Sequence, residues 1–360
     1  MSTPRIRRLA ASAAAVLALA GTARAADWFP YQAEAVEPPF AAEGKVAPVA
    51  YTPLPKASKK WDLCVSFPHM KDAYWLGVDY GVVEEARRLG VKLQVVEAGG
   101  YTNLNKQISQ LEDCVARGAN AVIIGAISAD GVGNAVKAFA GKKIPVIDVI
   151  NGINSPDVSA KSLVSFYVMG RSAGEYLAKL HPAGSAPKKV GWFPGPAGAG
   201  WVEAAHKGFM DAVKGSALQV LDPKYGDTGK EAQSKLVEDV LQGNPDLAYV
   251  AGTAVTAEVA PGIVRARNLQ DKVKVLAFYM TPGVYEGIEK GRILAAPADS
   301  MVVQGRIAVD QAVRLLEGKD VVRHVGPKIF VVDQAAVKGK AVSRDAILPP
   351  ADFKPVFAVK

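Results

Sequence analysis

Phe67, His69, Asp72, Tyr74 and Trp75 bring three rings, an imidazole and a carboxylate into one short stretch of this chain. A carboxylate among aromatic faces is suited to holding a cation, because ring faces carry negative charge density. An imidazole would serve acid–base catalysis only with a reacting group beside it, and the sequence places no nucleophile next to His69. Two large rings in succession are costly at an exposed helix start unless something covers them. Tyr74 and Trp75 therefore either line a cleft or plug the core beneath the loop.

Other candidates for chemistry are weaker. Gly195-Pro-Ala-Gly-Ala-Gly200 follows a strand-like run and precedes a helix-like one, as a phosphate loop would, but lacks the Gly-Lys-[Ser/Thr] ending. Gly226-Asp-Thr-Gly-Lys230 has short spacing, and Asp227 or Thr228 is expected to cap the following helix. No Gly-x-Ser-x-Gly elbow is present. The four histidines, His69, His181, His206 and His324, share no metal-ligand spacing, so no metal and no cofactor is expected. Glu84 and Glu85 read as a solvated helix face and His206 as structural. The chain reads as a binder, not an enzyme.

The elements that must position the first stretch follow from periodicity. Trp61–Phe67 is a short apolar run stopped by Pro68, which suits a buried parallel strand. Asp72 is a candidate helix cap, apolar residues recur at helical spacing through Leu89, and Gly90 closes the run. The loop between them lies at the carboxyl end of the strand, where open α/β sheets bind ligands. Strand-like runs recur at Lys92–Glu97, Ala121–Ala126 and Pro145–Val149, with helix-like runs at Leu104–Arg117 and Gly131–Ala140 between them. After a transition at Ser162–Tyr167 the alternation starts afresh and continues to a strand at Ile329–Val332. Two consecutive units of parallel βαβ ladder imply two like domains with a cleft between them.

Arg5, Arg7 and Arg8 precede an apolar run at Leu9–Ala20 and a small-x-small site at Ala23-Arg-Ala25, so residues 1–25 read as an export signal peptide. About 335 residues remain, enough for two domains. Four leader arginines account for half of the formal net charge of +8. The remaining excess is spread out, which argues against a nucleic-acid partner. Nothing after the leader has the length of a membrane span, so direct membrane insertion is not expected. Residues 26–60 mix prolines with aromatics without a period and are expected to form an extended N-terminal arm across the body. Cys64 and Cys114 are the only cysteines. In an exported chain an even pair is expected to bridge, and both fall near the same edge of the expected sheet.

The ladder, the leader and the lack of catalytic groups resemble type I periplasmic binding proteins. That resemblance implies an α/β fold of two Rossmann-like lobes, joined by a three-segment hinge with the ligand cleft between them. Its crossings would fall near Ser165–Tyr167, Tyr279–Thr281 and His324–Pro327. The N-terminal lobe would then comprise 61–165 plus 280–325, and the C-terminal lobe 166–279 plus 326–360. Lys71-Asp-Ala-Tyr-Trp75, Glu97-Ala-Gly-Gly-Tyr101, Val250-Ala-Gly-Thr-Ala254, Phe278-Tyr279, Glu289-Lys-Gly-Arg292 and Ala298-Asp-Ser-Met-Val302 narrow the resemblance. They are similar to the periplasmic sensors of trimethylamine N-oxide (TMAO) that report to a membrane histidine kinase in a two-component system. The resemblance puts the ligand on Asp72, Tyr74, Trp75, Tyr101, Phe166 or Tyr167, and Tyr279. Asn151, the Trp75 indole or a tyrosine hydroxyl would donate to the oxide. It implies a periplasmic protein whose partners are a small methylated amine and the kinase's periplasmic sensor domain, with the kinase reading the ligand-closed form. The alternative is the substrate-binding protein of an ABC importer for a sugar or small amine.

Overall fold

The computed structural model describes residues 28–41 and 44–360; the expected leader at 1–25 lies outside the described residues. The chain opens with an antiparallel hairpin, β1 (Tyr31–Glu37) and β2 (Lys45–Tyr51). The ladder follows as β3 (Asp62–Phe67), α1 (Ala73–Leu89), β4 (Lys92–Glu97), α2 (Leu104–Ala116), β5 (Ala121–Ile124), α3 (Gly133–Gly141), β6 (Val146–Val149) and β7 (Ala160–Ser162). A second ladder runs α4 (Phe166–Leu180), β8 (Lys188–Phe193), α5 (Gly200–Val213), β9 (Leu218–Val220), α6 (Lys230–Gly243), β10 (Leu247–Gly252), α7 (Ala254–Ala266) and β11 (Lys274–Ala277). It ends with α8 (Pro282–Glu289) and β12 (Ala295–Ala298). The chain finishes with α9 (Met301–Leu316), β13 (His324–Pro327), β14 (Phe330–Asp333), α10 (Gln334–Lys338), α11 (Arg344–Ile347) and β15 (Ala358–Val359).

These strands make a nine-stranded sheet in the order β15-β4-β3-β5-β6-β7-β13-β1-β2, a four-stranded sheet β11-β10-β8-β9, and a pair β12-β14. Strands β3 to β7 and β13 run parallel, as do β8 to β11, so each ladder turns its loops toward one end of its sheet. The central strands are buried along their whole length, which is why they read as unbroken apolar runs. Cys64 and Cys114 are joined by a disulfide that ties β3 to the last turn of α2.

The expected arm is a hairpin instead. Residues 31–37 and 45–51 add two strands to the outer edge of the first sheet through β1 and β13. The rings do anchor it: Trp28 stacks on Tyr51, and Tyr51 donates to Asp310 at 2.6 Å. The same segment corrects the reading of Glu85. Far from lying on a solvated face, Glu85 is buried, with Arg88 against it and the Trp28 indole donating to it at 2.9 Å.

The lobe boundaries also differ from expectation. The first crossing falls at 163–165, just before the expected Ser165–Tyr167, and the second lies at Asp299–Ser300, about twenty residues beyond Tyr279–Thr281. Helix α8 packs on α7 and α10, and Leu294 N–H donates to Val275 O beside β11, so residues 280–298 stay with the second sheet. The third crossing lies at 328–329, because β13 pairs with β7 while β14 pairs with β12. Residues 326–360 do not all remain in the second lobe. From Ile347 onward the chain packs against α9, its Val356 N–H donates to Asp79 of α1 at 2.8 Å, and β15 pairs with β4.

Candidate ligand-binding site

Asp72 sits where the loop after β3 turns into α1. It caps that helix, with Oδ1 accepting from Tyr74 N–H at 2.9 Å, which satisfies one of the orphan donors of the first turn. Its Oδ2 accepts from the Tyr279 hydroxyl at 2.5 Å, and Tyr279 lies two residues past β11 in the other lobe. Burial pushes the Asp72 carboxyl up to about 7, against the pull of those two hydrogen bonds.

Tyr74 is committed in the same way to a second carboxylate. Its hydroxyl donates to Asp299 Oδ2 at 2.5 Å, at the crossing between β12 and α9. Gln304 Nε2 donates to the same oxygen at 2.9 Å. Burial raises Asp299 to about 6, again opposed by its hydrogen bonds. Asp299 belongs to the Ala298–Val302 string, which by itself gives no sign that it reaches the site.

The structure brings all seven candidate residues, Asp72, Tyr74, Trp75, Tyr101, Asn151, Phe166 and Tyr279, onto the wall of one cavity. Of the two rings considered at the first crossing, Phe166 faces the cavity, whereas Tyr167 reaches Asp211 at 3.1 Å on the outside. Asn151 Nδ2 spans Ala126 O at 2.7 Å and the Tyr101 hydroxyl at 3.0 Å, which holds Tyr101 against the cavity. Tyr74 and Tyr279 meet edge to face with centroids 5.3 Å apart.

Ile150, Thr228 and Trp201 complete the wall, and sequence reasoning missed all three. Trp201 is the largest of them. It contacts Tyr101, Phe166 and Tyr279 with centroid separations of 6.1, 5.6 and 6.2 Å. A signal for it existed. Trp75 lies in the first turn of α1 and Trp201 in the first turn of α5, each after the first strand of its own ladder. Each indole also needs a glycine opposite: a Cβ at Gly125 would lie 2.5 Å from the Trp75 ring, and one at Gly195 would lie 2.7 Å from the Trp201 ring. The Gly195–Gly200 run is therefore a seat for an indole in this fold, with Gly195 at φ +119°, where side chains rarely go.

A polar latch crosses between the loops after β3 and β9. His69 Nε2 and Thr228 Oγ1 are 2.9 Å apart, and Lys71 Nζ lies 3.5 Å from Asp227. Neither Asp227 nor Thr228 caps α6; Gly229 takes the cap position without a side-chain bond. Burial pushes His69 down to about 4 although Asp227 lies 3.6 Å away, so the latch is held by a neutral imidazole near neutral pH.

Chemically, this arrangement offers ring faces with one carboxylate within the wall. Among the described residues no cluster of His, Cys, Asp or Glu could hold a metal ion, and no helix is long and apolar enough to cross a membrane.

Residues 63–320 match the periplasmic binding protein domain family. The chain is 39% identical over 308 residues to the periplasmic protein TorT of Escherichia coli K12, covering 86% of this chain and 87% of that one. A crystal structure of an ABC transporter solute binding protein from Bradyrhizobium sp. BTAi1 with bound bis-tris is 71% identical, with TM-score 0.79, covering 93% of this chain and all of that one. Complexes of the TorS sensor domain with TorT, solved without ligand and with TMAO, are 33% identical, with TM-score 0.74, over 82% of this chain and 99% of that one.

Proposed function

Because this chain belongs to the periplasmic binding protein domain family and is TorT-like, we propose that it is a sensor rather than a carrier. In this reading it binds TMAO or a related small methylated amine between its lobes. It then presents the closed form to the periplasmic sensor domain of a membrane histidine kinase, after export directed by residues 1–25.

The observation that carries the ligand class is the box itself. Tyr74, Trp75, Tyr101, Phe166, Trp201 and Tyr279 surround a cavity that also contains the buried Asp72. A methylated nitrogen exchanges water for ring faces at little cost, and each well-placed ring contributes roughly 0.5–2 kcal/mol of cation–π attraction. One relative supports the same chemistry, the TorT complex solved with TMAO; the Bradyrhizobium protein holds bis-tris, an amine that carries hydroxyls and no methyl group. A sugar would find few partners here, because the hydroxyls of Tyr74 and Tyr279 are already engaged by carboxylates.

The competing reading is an ABC importer's binding protein for a sugar or small amine, favoured by the description of that Bradyrhizobium relative. Calorimetric titration of the purified protein with TMAO, betaine and ribose separates the ligand classes. Heat from TMAO and none from ribose is expected; the reverse overturns the cage. The TorS–TorT complex exists with and without TMAO, so capture of a kinase sensor domain alone does not report closure. The expected result is capture in both states, with an affinity that changes when the amine is added.

A further inference from the structure

We infer that Trp201 is a specificity-determining residue of the site: its indole N–H and the Tyr101 hydroxyl together receive a hydrogen-bond acceptor carried by the ligand. This rests on the methylated-amine reading and adds to it the need for an acceptor atom on the amine.

The wall's tyrosines, Asn151 and Trp201 carry protons that can be followed one by one. Each tyrosine hydroxyl has one proton to give. That of Tyr74 goes to Asp299 and that of Tyr279 to Asp72, so while those carboxylates are ionised neither is free for a ligand. Asn151 uses both protons of its amide, on Ala126 O and on Tyr101. Its orientation is fixed, since only the nitrogen can face a carbonyl oxygen. Tyr101 accepts from Asn151, which leaves its own proton for the cavity.

Trp201 Nε1 is buried and has no hydrogen-bond partner among the described residues. Buried donors are ordinarily satisfied, and an orphan beside a ligand cavity is a donor waiting for a ligand atom. The indole groups of Trp201 and Trp75 both bear on the Tyr101 hydroxyl, and the Trp201 group does so without reaching hydrogen-bond geometry. An acceptor oxygen lodged beside Tyr101 satisfies what the empty wall leaves open. The position is built for this ring: Gly195, at φ +119°, admits the indole where any Cβ would collide with it. Amine oxides have such an oxygen on the methylated nitrogen, while a quaternary ammonium of the same shape has only a fourth methyl.

The experiment is calorimetric titration of the full chain with TMAO and with tetramethylammonium. In Trp201→Phe a ring remains and the donor is gone. It is expected to weaken TMAO at least tenfold while changing tetramethylammonium less than threefold. Tyr101→Phe tests the other donor with the same expectation and covers the case in which the Trp201 variant fails to fold, which its melting curve reveals. Equal losses for both probes in both variants would reduce Trp201 to a ring face and overturn the inference. Unchanged TMAO affinity in Trp201→Phe would overturn it as well. If the unaltered protein binds neither probe, the methylated-amine reading falls and this one with it. Binding of TMAO by the unaltered protein without a donor effect sinks the inference alone.

Discussion

The Tyr279 hydroxyl donates to Asp72 Oδ2 across the cleft at 2.5 Å, joining a residue just past β11 in one lobe to the cap of α1 in the other. The bond links three things that are usually separable. Asp72 holds the first turn of α1, which bears Tyr74 and Trp75; it is the carboxylate in the cage wall; and it contacts the opposite lobe. Its charge state is thus coupled to lobe closure and to any cation in the box.

That coupling sets a pH dependence. Asp72 is raised to about 7 by burial, against about 4 for an unfolded aspartate. As pH rises from 4 to 7 the unfolded chain ionises first, so this group costs the empty protein stability across that window and the cost levels off above it. A cationic head favours the carboxylate. Binding of tetramethylammonium at pH 6 is therefore expected to release a proton, and its affinity to climb up to about pH 7 and then flatten. Calorimetry in two buffers of different ionisation enthalpy reads the proton directly. Asp72→Asn should abolish the release; binding without proton release in the unaltered protein counts against Asp72 as the counter-charge.

Trp75 packs on Phe67 with centroids 5.0 Å apart and fills the space opposite Gly125. Trp75→Ala is expected to lose about 3–5 kcal/mol of stability, as large-to-small changes at buried rings do, together with most amine binding. Trp75→Phe keeps a π-face and should retain more of both. Denaturant melts and titrations on the same preparations check this. Alanine and phenylalanine variants that bind alike would remove the cation–π account.

The ladder was legible because strands buried on both faces, helix periodicity and glycine stops are local properties of the sequence. Trp61–Phe67, Lys92–Glu97 and Leu104–Arg117 all fall within a few residues of β3, β4 and α2. Strand partners are not local, and the errors lie there. Nothing within Ala295–Ala298 states that it pairs with Phe330–Asp333, so the second crossing was placed too early. Val46, Pro48 and Ala50 lacked a clear period because β2 is an edge strand, half covered and interrupted by proline. The cage residues in the α1 stretch were visible as a costly pair of rings. Trp201 was hidden by a glycine run that looked like a phosphate loop and is a seat for its indole.

The Cys64–Cys114 bond closes a loop of 50 residues in the first lobe. Loop-closure entropy for this length amounts to about 4 kcal/mol, and disulfides typically deliver roughly 2–4 kcal/mol of stabilisation. A Cys64→Ala, Cys114→Ala double variant should melt lower by that amount, with TMAO affinity changed little, because neither residue lines the cavity. Mass spectrometry of the exported protein, with and without reduction before alkylation, checks the bond itself; two free thiols would refute it.

The latch gives the last prediction. His69 and Thr228 come from different lobes, so their 2.9 Å contact is made only when the lobes are together. Thr228→Val leaves the buried imidazole nitrogen without its partner, which costs on the order of 1–3 kcal/mol in the closed form. TMAO and tetramethylammonium should weaken by a similar factor, unlike the selective loss expected from Trp201→Phe. The imidazole also sets an acid limit. Burial lowers His69 to about 4, against about 6.5 in the unfolded chain, so its neutral form stabilises the closed state fully above 6.5. That contribution is lost as pH falls from 6.5 toward 4. His69→Gln, which cannot take a proton, should flatten this part of the affinity profile while leaving the proton release tied to Asp72. Titrations from pH 4.5 to 8 on the two variants separate the groups. An acid limb that survives in His69→Gln would exclude the latch as its source.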